Sequence, residues 1–459
     1  MKKSLYIFFF VSLILSGCSK ELAFEYDTSN DSSTDTDLFD TESNRPNDTS
    51  IDTNLKSSDS GADTIGDSQS DTSQYASTDT NIDTSSENIP NDTEITVPPH
   101  NISGIVVDNN DNPIENALVS LAKDPYIFDK TDENGSFLLA GATANILTAG
   151  ALGYESRRDI NKESADSVKI VLQTDSLLKT DVYHISFDHL RPGDHYSEEE
   201  LKVDFPVGYG LGYYQDMDES KDRAFVDPFE SRDKDGRSLR VKFPANQLKT
   251  ANSGVDTRIP LSGTYKDNPF DGDELYLSYF IKFSDNFDFE KCGGKLPSLG
   301  GSLLGVRDKE WKGRIMWRAG GSIQFYMELP HDADGITDDA DRFWGDKIFD
   351  GGDICTNRFT PYLNIGKWHQ IELHYKLETP GLSDGLFEGW VDGDKGHKLV
   401  SSEVFGLYRR PGEGMDTLTI NAILISAFLG GSTVEYEHSD DVYAWFDEFR
   451  VSKTRIGTY

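Results

Sequence analysis

The strongest constraint on the fold is an alternation of apolar and polar residues with a period of two. In residues 275–283 every second residue is large and apolar, and Ile371, Leu373, Tyr375 and Leu377 alternate with polar residues in 368–377. Successive side chains of a β-strand point to opposite faces, so this pattern is typical of half-buried strands. Gly, Pro and Asp turns separate such segments, and helical periodicity is not sustained anywhere. We therefore predict an all-β protein whose residues 181–459 form a jelly-roll β-sandwich.

The amino-terminal part of the chain has a different composition. Residues 19–99 contain 19 acidic and three basic residues, set among Thr, Ser and Asn with few apolar side chains. Such a segment cannot bury enough apolar surface to offset the loss of chain entropy, and its like charges repel. We expect residues 18–99 to be a disordered, extended linker.

A short apolar segment precedes this linker. Lys2 and Lys3 are followed by an apolar run over residues 5–15, which is too short to span a bilayer as a helix. The segment L-S-G-C at 15–18 resembles the bacterial lipobox, which implies that residues 1–17 are a lipoprotein signal peptide and that Cys18 is lipidated. An ordinary secretory signal peptide is the alternative. Because several acyl chains give stable membrane attachment, we predict a lipid-anchored protein of the bacterial outer membrane or cell surface.

The net charge restricts the partners of the protein. The chain has 80 acidic and 44 basic residues, a formal net charge of -36 and a mean hydropathy of -0.53. These values exclude a polytopic membrane protein and argue against a nucleic-acid partner.

Residues 100–175 carry the pattern of a small β module. The motifs G-I-V-V-D at 104–108, P-I-E-N-A-L-V at 113–119 and T-D-E-N-G-S-F at 131–137 alternate apolar residues around turns. They resemble the carboxypeptidase regulatory-like domain, a transthyretin- or Ig-like β-sandwich. The resemblance implies a spacer or adhesive unit, and the segment contains no cluster of catalytic residue types.

Within the large domain, residues 291–318 reverse the local charge. This stretch has seven basic and two acidic residues, and aromatic residues able to stack on sugar rings accompany it, among them Trp317. Because fields in a cleft are local and screened within about 8–10 Å, such a patch can attract a polyanion to an acidic protein. The two arginines, Arg314 and Arg318, have another interpretation, in which they lie on an exposed strand face and form salt bridges.

Several motifs in this domain are recognisable together. They are Y-F-I-K-F at 279–283, G-G-K-L-P-S-L-G-G at 293–301, R-I-M-W-R at 314–318, T-P-G at 379–381, W-V-D-G at 390–393 and F-D-E-F-R-V at 446–451. Over residues 200–453 the chain resembles the family 14 polysaccharide lyases and the related glucuronan lyases. The resemblance implies a concanavalin A-like jelly-roll that cleaves uronic-acid polymers by β-elimination without a metal or other cofactor. It also implies that Lys295 and Tyr326 are catalytic and that an arginine, Arg318 or Arg314, binds the substrate.

The chemistry of β-elimination explains these residue types. Removal of the C5 proton builds charge on the uronate carboxylate, which a guanidinium can neutralise in a bidentate manner. Nearby arginines should lower the pKa of Lys295, so that it can act as a base, with Tyr326 as the acid or the two roles exchanged. His331 and Trp317 are further candidates for substrate contact.

Other features leave alternatives open. Glu328 stands where the family has a second tyrosine and would repel a uronate, so a noncatalytic binding module for anionic polysaccharide is the alternative function, and a structural surface protein is a third. The acidic segment between Asp332 and Asp346 is a calcium loop or, by its spacing, a solvated loop. In an oxidising compartment Cys292 and Cys355 can form a disulfide or remain thiols. We expect a monomer.

Overall fold

The structure is a computed structural model of the chain. It describes residues 98–161, 167–179, 181–204, 222–249, 251–261, 272–302, 310–328, 342–344, 362–382, 384–400, 418–431 and 433–459. The predicted signal peptide, Cys18 and nearly all of the predicted linker lie outside the described residues. No helix in these ranges is long and apolar enough to cross a membrane.

A small β-sandwich occupies residues 100–171. One sheet has the order β4-β1-β7, with β1 His100–Val107, β4 Ser136–Ala142 and β7 Val168–Val171. The other has the order β3-β2-β5-β6, with β2 Leu118–Leu121, β3 Phe128–Lys130, β5 Ile146–Gly150 and β6 Arg157–Asn161. Alternate apolar residues of both sheets, such as Val106, Val119 and Leu139, form its core. The motif at 104–108 and the motif at 113–119 therefore contribute to strands of different sheets, β1 and β2.

One of the two sheets of the large domain has eight described strands. Its path is β19-β18-β17-β12-β21-β10-β9, and β8 also pairs with β21. The strands are β8 Asp181–Ile185, β9 Ala224–Asp227, β10 Ser238–Phe243, β12 Glu274–Phe283, β17 His369–Lys376, β18 Leu386–Val391, β19 Asp394–Val400 and β21 Val442–Ser452. A short helix, α1 Glu198–Asp204, precedes β9.

The second sheet has six described strands and carries most of the candidate site. Its path is β11-β20-β13-β14-β15-β16. The strands are β11 Val255–Pro260, β13 Gly294–Ser302, β14 Glu310–Trp317, β15 Ile323–Glu328, β16 Arg342–Trp344 and β20 Ala422–Leu429. All the pairings in both sheets are antiparallel.

The two sheets pack face to face around one apolar core. Alternate residues of β12 and β17, including Tyr279, Ile371 and Tyr375, meet residues of the six-stranded sheet such as Leu296 and Ile315. This arrangement confirms the predicted all-β jelly-roll sandwich, and β12 and β17 coincide with the two strands predicted from alternation.

The polar face of β17 is more buried than the sequence suggests. Gln370 and Glu372 were expected to face solvent, but they are 5% and 3% exposed. The carboxyl-terminal residues cover them, since Glu372 Oε1 accepts a hydrogen bond from Ile456 N at 2.6 Å and Gln370 Nε2 donates to Gly457 O at 2.7 Å. A polar side chain can thus be buried on an outer sheet face when backbone groups supply its partners.

Polar contacts join the small sandwich to the large domain. Arg237 is buried, and its guanidinium donates to Ser120 Oγ at 2.8 Å and to Asp188 O at 2.9 Å. The ring of His184 lies between Asp175 and Glu448, with 2.7 Å between Nε2 and Glu448 Oε2. These two carboxylates raise the pKa of His184 to about 10 against the opposing effect of burial.

Candidate active site

The backbone before Lys295 has a conformation that requires glycine. Gly293 has φ +122°, and a Cβ on Gly294 would lie 2.3 Å from the ring of Trp317. The two glycines let β13 start directly against Trp317. Lys295 then pairs with Met316 of β14 on one side and with Phe428 of β20 on the other.

A bulge follows Lys295 at Pro297 and Ser298. The register of β13 shifts between Leu296 and Leu299, as expected where proline cannot donate to the ladder. Tyrosines from the opposite sheet bind the backbone there: Tyr279 Oη donates to Pro297 O at 3.1 Å, and Tyr375 Oη accepts from Leu299 N at 3.3 Å. Burial raises the pKa of both phenols well above 10, so both remain protonated donors.

Lys295 and Arg318 meet at the sulfur atom of Met316. Lys295 Nζ lies 3.6 Å from Met316 Sδ, and Arg318 Nη2 lies 3.4 Å from the same atom. Arg318 also donates from Nε to Gln324 Oε1 at 2.7 Å and from Nη1 to Cys292 O at 3.1 Å. The strand neighbours of Lys295, Met316 and Gln324 belong to the core between the sheets, namely Leu296, Ile315, Trp317 and Ile323. Because adjacent side chains of a strand point to opposite faces, this cluster occupies the other face of the six-stranded sheet.

Arg314 lies on the same face, two residues before Met316. Its Nη2 is 3.5 Å from Asp256 Oδ2, and its guanidinium carbon is 5.8 Å from the ring centre of Phe428. Ser426 Oγ donates to Asp256 Oδ1 at 2.6 Å, which orients the carboxylate. The sheet therefore holds two guanidinium groups along the strand that pairs with Lys295.

The backbone register places β15 beside this strand. Tyr326 is opposite Arg314, and Glu328 is opposite Lys312. The side chains of Tyr326 and Glu328 lie outside the described part of the structure, as do His331 and the acidic segment from Asp332 to Asp346. Their participation in the site stays a prediction.

Trp317 does not have the role predicted for it. Its side chain is fully buried and makes edge contacts with Phe243, Phe283 and Phe287, at centroid distances of 5.8, 5.5 and 5.8 Å. It points from β14 into the core, because it is one residue away from Met316 and strand neighbours alternate faces. Trp317 is a core residue and is not available to stack on a sugar.

Two residues of the cluster were missed by sequence reasoning. Met316 falls within the motif at 314–318 but has no predicted role, and Gln324 lies in none of the motifs. The available signal was spacing: Gln324 is two residues before Tyr326, and alternation puts these positions on the same face of a strand.

Cys292 is disulfide-bonded in the structure. The predicted partner, Cys355, lies outside the described residues, so the pairing stays a prediction. The position of Cys292 matters for the site, because its carbonyl oxygen accepts the hydrogen bond from Arg318.

The fold and the cluster together define a class of protein. It is a jelly-roll sandwich that carries a lysine and two arginines on one outer sheet face. Comparison with protein families refines this description: residues 231–449 match the model of the family polysaccharide lyase 14. The large domain is therefore polysaccharide lyase 14-like. A search of curated proteins found no match.

Solved structures show similarity at low identity. The chain is 19% identical to the alginate lyase Aly36B, with a TM-score of 0.41, covering 60% of this chain and 98% of that one. For a marine PL-14 alginate lyase from Aplysia kurodai the identity is 20%, the TM-score 0.43, and the coverage 59% and 98%. For an endo-β-1,4-glucuronan lyase from the fungus Trichoderma reesei the values are 13%, 0.36, 60% and 96%.

Proposed function

We propose that the large domain is a polysaccharide lyase that cleaves a uronic-acid polymer of the alginate or glucuronan type by β-elimination. The observation that carries this proposal is the contact of Lys295 and Arg318 with one sulfur atom, on a sheet face that also holds Arg314, within the residues that match the lyase family.

The proposed reaction assigns each proton and electron pair. Lys295 Nζ, in its neutral form, takes the C5 proton of the uronate residue. The electrons left at C5 form a double bond to C4, the C4–O4 bond breaks, and the hydroxyl of Tyr326 donates a proton to the departing O4. Before that bond breaks, charge accumulates on the carboxylate, where fixed donors stabilise it most.

The surroundings of Lys295 support a role as the base. Lys295 is 5% exposed, so the proposed base is shielded from bulk solvent. Its neighbour Arg318 cannot lose its charge, so it disfavours a second positive charge nearby. The two guanidinium groups also give this face the charge that attracts a polyanion.

The test is the ultraviolet absorbance of the unsaturated uronate product on alginate, glucuronan and other uronans. The wild-type protein should produce it, and Lys295→Ala and Tyr326→Phe should abolish it while unfolding remains cooperative. The control is Lys282→Ala, because Lys282 is on the other sheet and pairs with Glu230 at 2.6 Å. Wild-type rates in both site variants would refute the assignment of roles.

A noncatalytic binding module has a different signature. Such a protein would be retained on a uronan column and would give no absorbance change on any uronan. That outcome would exclude the lyase and favour the binding function.

We also propose that lipidated Cys18 and the acidic linker hold the domain at a cell surface. The support is the sequence alone, namely the L-S-G-C motif at 15–18 and the composition of the linker. A Cys18→Ser variant should move from the detergent phase to the aqueous phase on detergent phase partition. An unchanged distribution would contradict lipid anchoring.

A further inference from the structure

Gln324 is a buried amide whose orientation is determined by its neighbour. Its side chain is 1% exposed, and Oε1 accepts the hydrogen bond from Arg318 Nε at 2.7 Å. A guanidinium donates and never accepts, so the amide oxygen must face Arg318. The amide nitrogen, Nε2, therefore points away from Arg318.

Gln324 Nε2 has no hydrogen-bond partner among the residues that the structure describes. Buried N–H groups in native proteins are nearly always paired, and an unpaired one destabilises the fold. Rotation of the amide would not resolve this, because it would turn the N–H groups toward the guanidinium. Arg318 in turn is held by Cys292 O and Met316 Sδ. The chain thus keeps a donor fixed in a position where none of the described residues accepts from it.

This donor lies in the same cross-strand row as the proposed base, with one strand, β14, between them. Gln324 is directly opposite Met316 in the sheet, and Met316 Sδ is the atom that Lys295 Nζ contacts. Tyr326 follows two positions later on the same strand, opposite Arg314. The amide nitrogen therefore belongs to the site rather than to the core.

We propose that Gln324 Nε2 binds the substrate, donating a hydrogen bond to the carboxylate of the uronate residue that loses its C5 proton. This inference rests on the proposed lyase function. An amide donor suits the position because it stabilises the growing negative charge without adding a charge of its own beside Lys295. A third cation there would also bind the carboxylate, but it would place another positive charge against the guanidinium of Arg318.

The Gln324→Glu variant distinguishes a role of Gln324 in binding the substrate from a role in holding Arg318. The variant keeps an acceptor for Arg318 Nε but replaces the donor with a carboxylate oxygen. If Gln324 only holds Arg318, activity should be retained; if Nε2 binds the uronate, kcat/KM should fall at least about tenfold. The matched control is Gln247→Glu, which makes the same change at an exposed position of the same domain. The control should stay within about twofold of wild type, because exposed sites without contacts tolerate substitution.

A binding measurement identifies the group that Gln324 recognises. Calorimetry compares Lys295→Ala with Lys295→Ala/Gln324→Glu, so that the ligand is not cleaved. The second substitution should weaken binding of a uronan oligosaccharide and leave binding of its carboxyl-reduced counterpart unchanged. Equal weakening of both ligands would overturn recognition of the carboxylate.

The possible outcomes distinguish a failure of the proposed role of Gln324 from a failure of the proposed lyase function. An active wild-type enzyme with an equally active, equally stable Gln324→Glu variant would refute the role of Gln324 and leave the lyase intact. A wild-type protein that neither cleaves nor binds any uronan would refute the lyase function and the inference with it.

Discussion

The hydroxyl of Tyr375 connects three strands through the interior of the sandwich. It accepts from Leu299 N at 3.3 Å and donates to Gly313 O at 2.6 Å, and the residue is 1% exposed. Tyr375→Phe therefore leaves one backbone donor and one backbone acceptor without this partner, in a place where the sandwich excludes water. At about 1–3 kcal/mol for each buried group, we expect a loss of about 2–6 kcal/mol in the free energy of unfolding.

Tyr279→Phe provides the internal comparison. The Tyr279 hydroxyl makes one such bond, to Pro297 O at 3.1 Å, so its removal should cost about half as much, about 1–3 kcal/mol. The control is Tyr276→Phe, since the hydroxyl of Tyr276 makes no hydrogen bond to any other residue that the structure describes; this change should have little effect.

Urea unfolding followed by tryptophan fluorescence measures these differences. All six tryptophans lie between residues 311 and 445, so the signal reports on the large domain and not on the small sandwich. If Tyr375→Phe is no more destabilising than Tyr279→Phe, the Tyr375 hydroxyl does not hold the bulge after Lys295. Loss of lyase activity in Tyr375→Phe at a urea concentration that leaves it folded would show that the bulge also positions Lys295.

Three further predictions concern the rest of the molecule. Because the folded-state pKa of His184 is about 10, above the ordinary 6.5, its contribution to stability is complete below pH 6.5 and is lost as the pH rises through 10. In the wild type the free energy of unfolding should therefore fall over that pH range, and His184→Gln should reduce this fall by roughly 2–4 kcal/mol. An unchanged pH dependence in the variant would contradict the charged pair. Arg237→Ala removes the buried guanidinium hydrogen bonds to Ser120 Oγ and Asp188 O, so it should destabilise the joined domains by about 3 kcal/mol and speed proteolysis between them. Equal cleavage rates would exclude this contact as the connection. Peptide mapping without reductant should recover Cys292 linked to Cys355, and a peptide linking Cys292 to another cysteine would refute that pairing.

Alternation predicted two strands of the large domain correctly because the core imposes it. Residues 275–283 and 368–377 became β12 and β17, whose apolar faces meet in the sandwich. The same alternation failed for the outer face of β17, where Glu372 and Gln370 bind the carboxyl-terminal backbone. A polar residue in a strand pattern indicates only that its side chain leaves the core, and a distant segment can still cover it.

For the candidate site, too, the sequence pattern predicts some features and the tertiary structure decides others. Lys295 and the two arginines were found from motif and charge, and the structure brings Lys295 and Arg318 to one atom. Trp317 was assigned to the site because it is adjacent to them in sequence, although a strand sends adjacent side chains to opposite faces. Gln324 was missed because neither charge nor motif marks an amide.

The sequence by itself determined the β class of the chain, the large domain and the basic segment that includes Lys295, since periodicity and local charge are properties of consecutive residues. The tertiary structure alone decided which of these residues meet. Strand register across β13, β14 and β15 aligns Lys295, Met316 and Gln324, and the hydrogen bond from Arg318 Nε orients the amide. These contacts depend on the pairing of strands and on a bulge held by tyrosines of the opposite sheet, which no local pattern encodes.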